Sequence, residues 1–371
     1  MSTLHVVALD VPYPPDYGVV IDVYYRLKAL HAAGISVILH CFAYGREEAP
    51  QLNEICKKVY YYPRPTRWTD QISPTPYIVR SRATPLLLEH LMSDPAPILF
   101  DGLHTCFFLS APQLSNRRKA VRMQNVEWRY YWHLAQYRSA VWKQLYYLIE
   151  SFKLKNYESV IRHADAVFTV SRSEQHYYQK HHPSVHYLPV FHGHKRISSM
   201  PGSGRYVLYH GKLSVPENER AARLVLEVMK GLPDLKLIIA GRNPSAGLQV
   251  AIAKVPQAEL VSNPSSAEME DLIRQAHLHL LPTFQNTGIK HKLLNALFAG
   301  RHVVTNTPMV AGTGLEALCH IGDTVAELRQ KVNMLAAEPF TQSEVQRRAS
   351  LLLSEFDNQH NAQKLIDLLR L

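Results

Sequence analysis

The chain has 371 residues, 46% of them hydrophobic, and a formal net charge of +10. That length is too great for one hydrophobic core and suits two domains, and no apolar run reaches the roughly 18–20 residues that would cross a bilayer. The positive charge is mild and spread along the chain without a basic tail. It favours anionic small ligands or an anionic membrane surface over a nucleic-acid-binding stripe.

The opening "MSTLHVVALD" reads as a first strand, because it has neither the basic start nor the small-residue cleavage site of a signal peptide. "LHVVALDVPYPP" is an apolar run broken by prolines, so a strand and then a loop. "DYGVVIDVYYRLKALHAAG" places Val20, Val23, Tyr24, Leu27 and Leu30 at helical spacing and stops at Gly34. Strands follow at "ISVILHCFAYG", "KKVYYYPRP", "PILFDGLHTCFF" and "KAVRMQNVEW". A long helical tract runs from about Trp128 to His163, and "ADAVFTVS" is another strand. The stretch 188–205, rich in Gly, Ser and Pro, reads as a linker. Alternation then restarts with "YVLYHG", "NERAARLVLEVMKG", "LKLIIAG", a helix near 246–254, "AELVSN", "SAEMEDLIRQA", "HLHLLPT", a helix from Gly288, and "RHVVTN". The tail beyond 341 is amphipathic and helical. Repeated strand–helix alternation specifies an α/β protein with parallel, doubly wound sheets. The predicted domains are 1–190 and 200–345, with a C-terminal helix in 346–371.

Four dispersed cysteines (Cys41, Cys56, Cys106, Cys319) form no CxxC pair, which fits a reducing cytosol. The histidines between His176 and His194 lack Cys or carboxylate neighbours other than Glu174. They read as a loop, and no metal ligand set is assigned.

In doubly wound sheets ligands bind beyond the carboxyl ends of strands. Three turns there pair glycine with a cation: Gly211 with Lys212, Gly241 with Arg242, and Gly288 with Lys290. Lys290 and Lys292 fall at a helix start, where the macrodipole disfavours cations. An anion bound at that helix end removes the conflict. For Lys290 the anion reading is preferred; for Lys292 it stands level with a lysine extending into solvent. In the first half, Asp16, Gly18, Asp101, His104, Arg122, Gln124, Asn125 and Glu127 also follow strands. His104 fits a catalytic place or a core or helix-start place equally. Glu127 also suits the first turn of a helix. The tract "WRYYWHLAQYRSAVWKQLYYLIESFKLK" mixes aromatics with Lys and Arg; core filling is preferred there over a membrane-facing surface.

The blocks "LYHGKLSVPENERA", "LIIAGRNPS" and "AEMEDLIRQAHLHLLPTFQNTGIKHKLLNALFAGRHVVTN", with "PYPPDYG", "RMQNVEWRYY" and "ADAVFTVS" in the first half, resemble glycosyltransferase family 4 of the GT-B fold. The resemblance spans nearly the whole chain. It implies two Rossmann-like domains facing a central cleft, with the acceptor bound by the first and a nucleotide-sugar donor by the second. It also implies a last helix that packs back on the first domain. The family transfers a sugar with retention of configuration and without a metal, so no cofactor beyond the UDP- or GDP-sugar substrate is expected. Carried over by position, the donor contacts are Gly18, Gly211, Lys212, Arg242, Thr287, Gly288, Ile289, Lys290 and Asn295. Asp16, His104 and Gln124 are the catalytic candidates, and Arg122, Asn125 and Glu127 the acceptor contacts. The pattern departs from the family at several places. Thr287 and Asn295 stand where two glutamates are usual, and Gln124 stands where a histidine is usual. Asn218 follows Lys212 where the family has a later lysine. The implied partners are a nucleotide-sugar, a glycan or lipid-linked acceptor and an anionic membrane surface, but not nucleic acid. The implied location is the cytoplasm, at the inner face of the cell membrane. The substitutions leave a second reading open, a catalytically impaired GT-B protein that binds or scaffolds.

Overall fold

The computed structural model describes residues 2–136, 140–285, 288 and 290–371. The chain divides into two compact units, Met1–Gly193 with Phe356–Leu371, and His194–Glu355.

The first unit runs β1 (Thr3–Ala8), α1 (Gly18–Ala32), β2 (Ser36–Ala43), β3 (Lys58–Pro63), α2 (Tyr77–Arg80), α3 (Pro85–Leu91), β4 (Ile98–Asp101), β5 (Lys119–Met123), α4 (Glu127–Gln136), α5 (Val141–Tyr157), β6 (Ala166–Thr169), α6 (Arg172–Tyr178) and β7 (Val185–Tyr187). Among the described residues these strands form one seven-stranded sheet in the order β3-β2-β1-β4-β5-β6-β7, all pairs parallel. Strand side chains alternate between faces, and both faces are covered. Leu4, Val6 and Ala8 of β1 join one core with Val23, Leu27 and Leu30 of α1. Val7 joins the opposite core with Phe100, Val121 and Leu154. That double burial explains why the strands read as continuous apolar runs.

The second unit runs β8 (Val207–Lys212), α7 (Pro216–Met229), β9 (Leu237–Arg242), α8 (Ala246–Ala253), β10 (Ala258–Ser262), α9 (Ser266–Gln275), β11 (Leu278–Leu280), α10 (His291–Ala299), β12 (His302–Thr305), α11 (Thr307–Val310), β13 (His320–Ile321), α12 (Val325–Ala336) and α13 (Gln342–Glu355). Its parallel sheet has the order β10-β9-β8-β11-β12-β13. β8 therefore has β9 on one side and β11 on the other, and strand order reverses there. Such a reversal is where ligands gather in doubly wound sheets. Capping boxes start α9 at Ser265 with Glu268 and α12 at Thr324 with Glu327. Each satisfies two backbone N–H groups that would otherwise be orphaned.

The chain ends in α14 (Asn358–Leu369), which belongs to the first unit. Asp357 caps it through the His360 amide at 2.6 Å. Ala362, Leu365, Ile366 and Leu369 lie in the α1-side core. Burying each of the three larger chains stabilises the unit by roughly 1.5–3 kcal/mol. Lys364 Nζ donates to the Tyr187 carbonyl at 2.7 Å, and Arg118 donates to that of Leu368 at 2.8 Å. α13, which the sequence expectation grouped with this tail, stays with the second unit.

Two sequence expectations change. The helix expected from Gly288 begins at His291, with Lys290 as its N-cap. The tract expected as one helix from Trp128 to His163 is α4, α5 and a 3-10 segment, Glu158–His163, with 137–139 outside the described residues.

Candidate donor and acceptor sites

In the second unit the cations stand at the carboxyl end of the sheet. Lys212 and Arg242 are register partners on β8 and β9, directly behind the paired Gly211 and Gly241. A Cβ on Gly241 would lie 1.9 Å from the Gly211 carbonyl oxygen, so no side chain fits there. Gly288 has φ +64, a left-handed conformation that favours glycine. It turns the chain from the loop after β11 into α10. Thr287 and Ile289 lie outside the described residues.

Lys292, second in α10, does not extend into solvent. Its Nζ donates to Asn218 Oδ1 at 3.1 Å and lies 3.4 Å from the Tyr209 hydroxyl, 5.0 Å above that ring. Asn218 in turn donates to the Lys212 carbonyl at 3.0 Å, and the Tyr209 hydroxyl donates to the Asn218 carbonyl at 2.9 Å. Asn218, sitting where the resembled family has a cation, thus fixes a lysine from another helix. Burial lowers the Lys292 pKa to about 8; Glu217 opposes that and Lys290 adds to it. An ammonium partly withdrawn from water is a stronger anion ligand than a fully solvated one. Lys290 precedes the helix with extended backbone (φ −89, ψ 113), and its charge reaches Lys292.

Glu217 holds the neighbouring loop: Thr283 Oγ1 donates to it, and Phe284 N–H approaches at 3.4 Å. Arg220 stacks on Phe284 at 3.8 Å. Asn295 lies on the next turns of α10, where His194 Nε2 meets its Oδ1 at 2.9 Å. His194 stacks on Phe298 at 4.8 Å. Glu217 and Tyr209 carry no motif and were not singled out from the sequence.

The first unit divides its candidates. Arg122, expected to touch the acceptor, is fully buried. Its Nε and Nη2 donate to the two oxygens of Asp22, each at 2.8 Å, and its Nη atoms to the Leu188 and Pro189 carbonyls at 3.0 and 2.9 Å. Arg26 bridges Asp22, at 2.9 Å, and Asp101. Gln124 donates to Asp22 at 3.1 Å and Asp101 at 3.2 Å. Two guanidiniums and two carboxylates thus neutralise one another in the core. Burial pushes Asp22 up, but Arg122 and Arg26 outweigh it and hold the carboxyl well below its usual range. Arg122 and Gln124 are therefore committed to structure, in place of the acceptor and catalytic contacts expected of them. The Asp22 partner is distant in sequence, so no local signal revealed it.

His104, after β4, and Glu127, the first residue of α4 after β5, are brought together. His104 Nε2 is 3.2 Å from Glu127 Oε2. The contact lacks hydrogen-bond alignment, since both ring nitrogens are buried without a hydrogen-bond partner. Asn125 sits between β5 and α4, and its carbonyl accepts from the Tyr178 hydroxyl at 3.3 Å. Asp16 is in the exposed loop before α1, paired with Arg46 at 2.9 Å. Gly18 begins α1, with no side-chain cap ahead of it.

The tract expected to fill the core splits. Trp128, Tyr130 and Tyr131 of α4 pack on the second core of the sheet. On α5, Val141, Trp142, Leu145, Leu148, Ile149 and Phe152 are exposed, from 37% at Leu148 to 76% at Val141. Their spacing makes one helical stripe.

Residues 204–338 match the family described as Glycosyl transferases group 1. A curated relative, an uncharacterized 44.6 kDa protein in the cps region of Klebsiella pneumoniae, is 27% identical over 333 residues, 85% of each chain. Among solved structures, a glycosyltransferase from Rickettsia africae ESF-5 superposes with a TM-score of 0.69 at 12% identity, over 100% of this chain and 98% of the other. WaaG, a glycosyltransferase involved in lipopolysaccharide biosynthesis, superposes with a TM-score of 0.65 at 14% identity, over 99% of each chain.

Proposed function

We propose that this chain, a glycosyltransferase of the GT-B fold whose second unit carries the group 1 match, moves a sugar from a nucleoside-diphosphate sugar to an acceptor hydroxyl, with retention and without a metal ion, in the synthesis of a surface polysaccharide or glycolipid. One observation carries the reading: the ammonium of Lys292 is held at the carboxyl end of the β8 strand, beside register-paired Lys212 and Arg242 and the positive end of α10. This arrangement suits a diphosphate.

In the reaction the bond from the sugar C1 to the β-phosphate oxygen breaks, and the acceptor oxygen bonds to C1. The leaving diphosphate gains negative charge, which Lys292, Lys212, Arg242, Lys290 and the α10 dipole stabilise. The acceptor proton passes to a phosphate oxygen of the donor, with Asn295 and Thr287 as neutral hydroxyl contacts. On the first unit, His104 beside Glu127, Asn125, Asp16 and Gly18 remain acceptor-side contact candidates.

The settings of these relatives, a cps region and lipopolysaccharide biosynthesis, support a surface-glycan acceptor. Among the described residues no helix is long and apolar enough to cross a membrane. The α5 stripe, with the Lys143 ammonium 5.0 Å above the Trp142 ring, suits docking on an anionic inner leaflet that presents a lipid-linked acceptor. Incubation with a panel of nucleotide sugars, read as released nucleoside diphosphate, tests the assignment. Release from one donor, lost in Lys212→Ala, supports it. Nucleotide binding without any turnover supports the binding-protein reading instead.

A further inference from the structure

Among the described residues, one group of side chains outside the donor region has the composition of a metal site: His302, His320 and Glu344, whose ligand atoms all lie within 4.8 Å of one another. All three belong to the second unit. His302 opens β12, His320 opens the edge strand β13, and Glu344 lies in the first turn of α13. His302 is at the amino end of its strand, whereas Lys212 and Arg242 close β8 and β9 at their carboxyl ends. The cluster is therefore separate from the donor region.

The hydrogen bonds orient the ligands. His302 is 2% exposed, and its Nε2 lies 3.0 Å from the Glu338 carbonyl, an acceptor only. Nε2 therefore carries the hydrogen, and in the neutral ring Nδ1 presents a lone pair. That buried Nδ1 has no hydrogen-bond partner. It faces Glu344 Oε1 at 3.7 Å. The other carboxylate oxygen, Oε2, is occupied by the Thr341 amide at 2.7 Å and hydroxyl at 3.0 Å. A buried lone pair facing a half-buried carboxylate oxygen calls for a cation between them. A small cavity of about 10 Å³ lies there, also lined by Phe340, Arg347 and Arg348. That volume suits one water or one ion.

We propose that His302 Nδ1, His320 and Glu344 bind one Zn²⁺ ion, with a water in the fourth position, as a structural clip joining β12, β13 and α13. Zinc bonds of about 2.0–2.2 Å in a tetrahedron put ligand atoms roughly 3.4 Å apart, so side-chain rotation alone closes the observed spacings. Two imidazoles and one carboxylate suit zinc better than magnesium or calcium, which take oxygen ligands. The two neighbouring guanidiniums are engaged elsewhere. Arg348 donates to the Gly300 carbonyl at 2.7 Å and to that of Arg301, and Arg347 donates to that of Ala317. The Glu338 carbonyl bond is the kind of outer contact that fixes a metal-binding histidine.

The test uses the full-length protein, stripped with a chelator, reloaded with Zn²⁺ and dialysed, with metal per chain measured by mass spectrometry. One equivalent is expected in the wild type, with a rise in Tm on loading. Loss of that equivalent and of the Tm rise is expected in His320→Gln and in Glu344→Gln, at a metal-free Tm that shows each variant folded. His181→Gln, in the histidine-rich loop, should keep both. Co²⁺ in place of Zn²⁺ should give the intense visible absorption of a tetrahedral site. The proposal is overturned if the wild type retains no zinc, if both ligand variants retain it, or if His181→Gln loses it.

Discussion

Replacing Lys292 with methionine should weaken nucleotide binding while leaving the fold as stable or more so. Burial takes the lysine from 10.5 to about 8. A drop of that size favours the neutral amine by about 3 kcal/mol. At pH 7 the folded chain keeps the ammonium charged and bears that cost. Methionine fills similar space without it, and loses the contacts to Asn218 and Tyr209, worth about 1 kcal/mol each. The net effect expected at pH 7 is a gain of about 1 kcal/mol, measured by urea unfolding. Because the folded pKa is lowered, the penalty is complete below pH 8, shrinks as pH rises towards 10.5, and then vanishes. The variant's advantage should shrink over that window and then reverse, as only the lost contacts remain. Binding should move oppositely. A charged hydrogen bond to phosphate contributes about 1.5–3 kcal/mol, so affinity for UDP or GDP should fall roughly 10- to 150-fold by calorimetry. Unchanged affinity in Lys292→Met, or a loss of several kcal/mol of stability, would refute the reasoning.

Arg122→Ala should cost about 3–5 kcal/mol of stability by removing one of the two guanidiniums that compensate Asp22 in the core; a stable variant with only a raised acceptor KM would return Arg122 to the acceptor contacts. Burial, with Lys292 adding, lowers the His210 pKa to about 3, so its folded ring stays neutral while the unfolded one takes a proton below about pH 6.5. Stability is thus full above pH 6.5 and falls by about 1.4 kcal/mol per unit towards pH 3; His210→Leu should flatten that fall by one proton, and an unaltered slope would contradict it. Changing Leu145 and Phe152 to serine should abolish flotation with anionic liposomes at low salt while sparing the fold, because both are more than half exposed; retained flotation would remove α5 from the membrane contact.

The alternation of strand and helix was legible because parallel strands buried on both faces leave continuous apolar runs, as in "HVVA" and "LIIA". The glycine–cation turns were legible too. Gly288 is favoured by its own left-handed backbone and Gly241 by the Gly211 carbonyl on the neighbouring strand, and each constraint leaves a glycine in the sequence. Arg122 was misread because its partner Asp22 comes from α1, and only the fold brings β5 against that helix. Lys292 was left undecided because the decisive residues, Asn218 and Tyr209, belong to α7 and β8. The aromatic tract held its apolar stripe in plain periodicity. Which side faced outward depended on how α4 and α5 pack together. β7 and β13 have three and two residues, too short for period-two alternation to register. His302, His320 and Glu344 follow no metal-motif spacing, since the ligands meet through strand order and a later helix.

The central claim is that Lys212, Arg242, Lys290 and Lys292 cradle a diphosphate. A crystal structure of the chain soaked with UDP or GDP tests it most directly. The account expects phosphate oxygens within hydrogen-bond distance of the Lys292 ammonium and of Lys212 or Arg242, at the start of α10. A nucleotide bound with its phosphates turned to bulk water or to another part of the unit, those cations untouched, would contradict it.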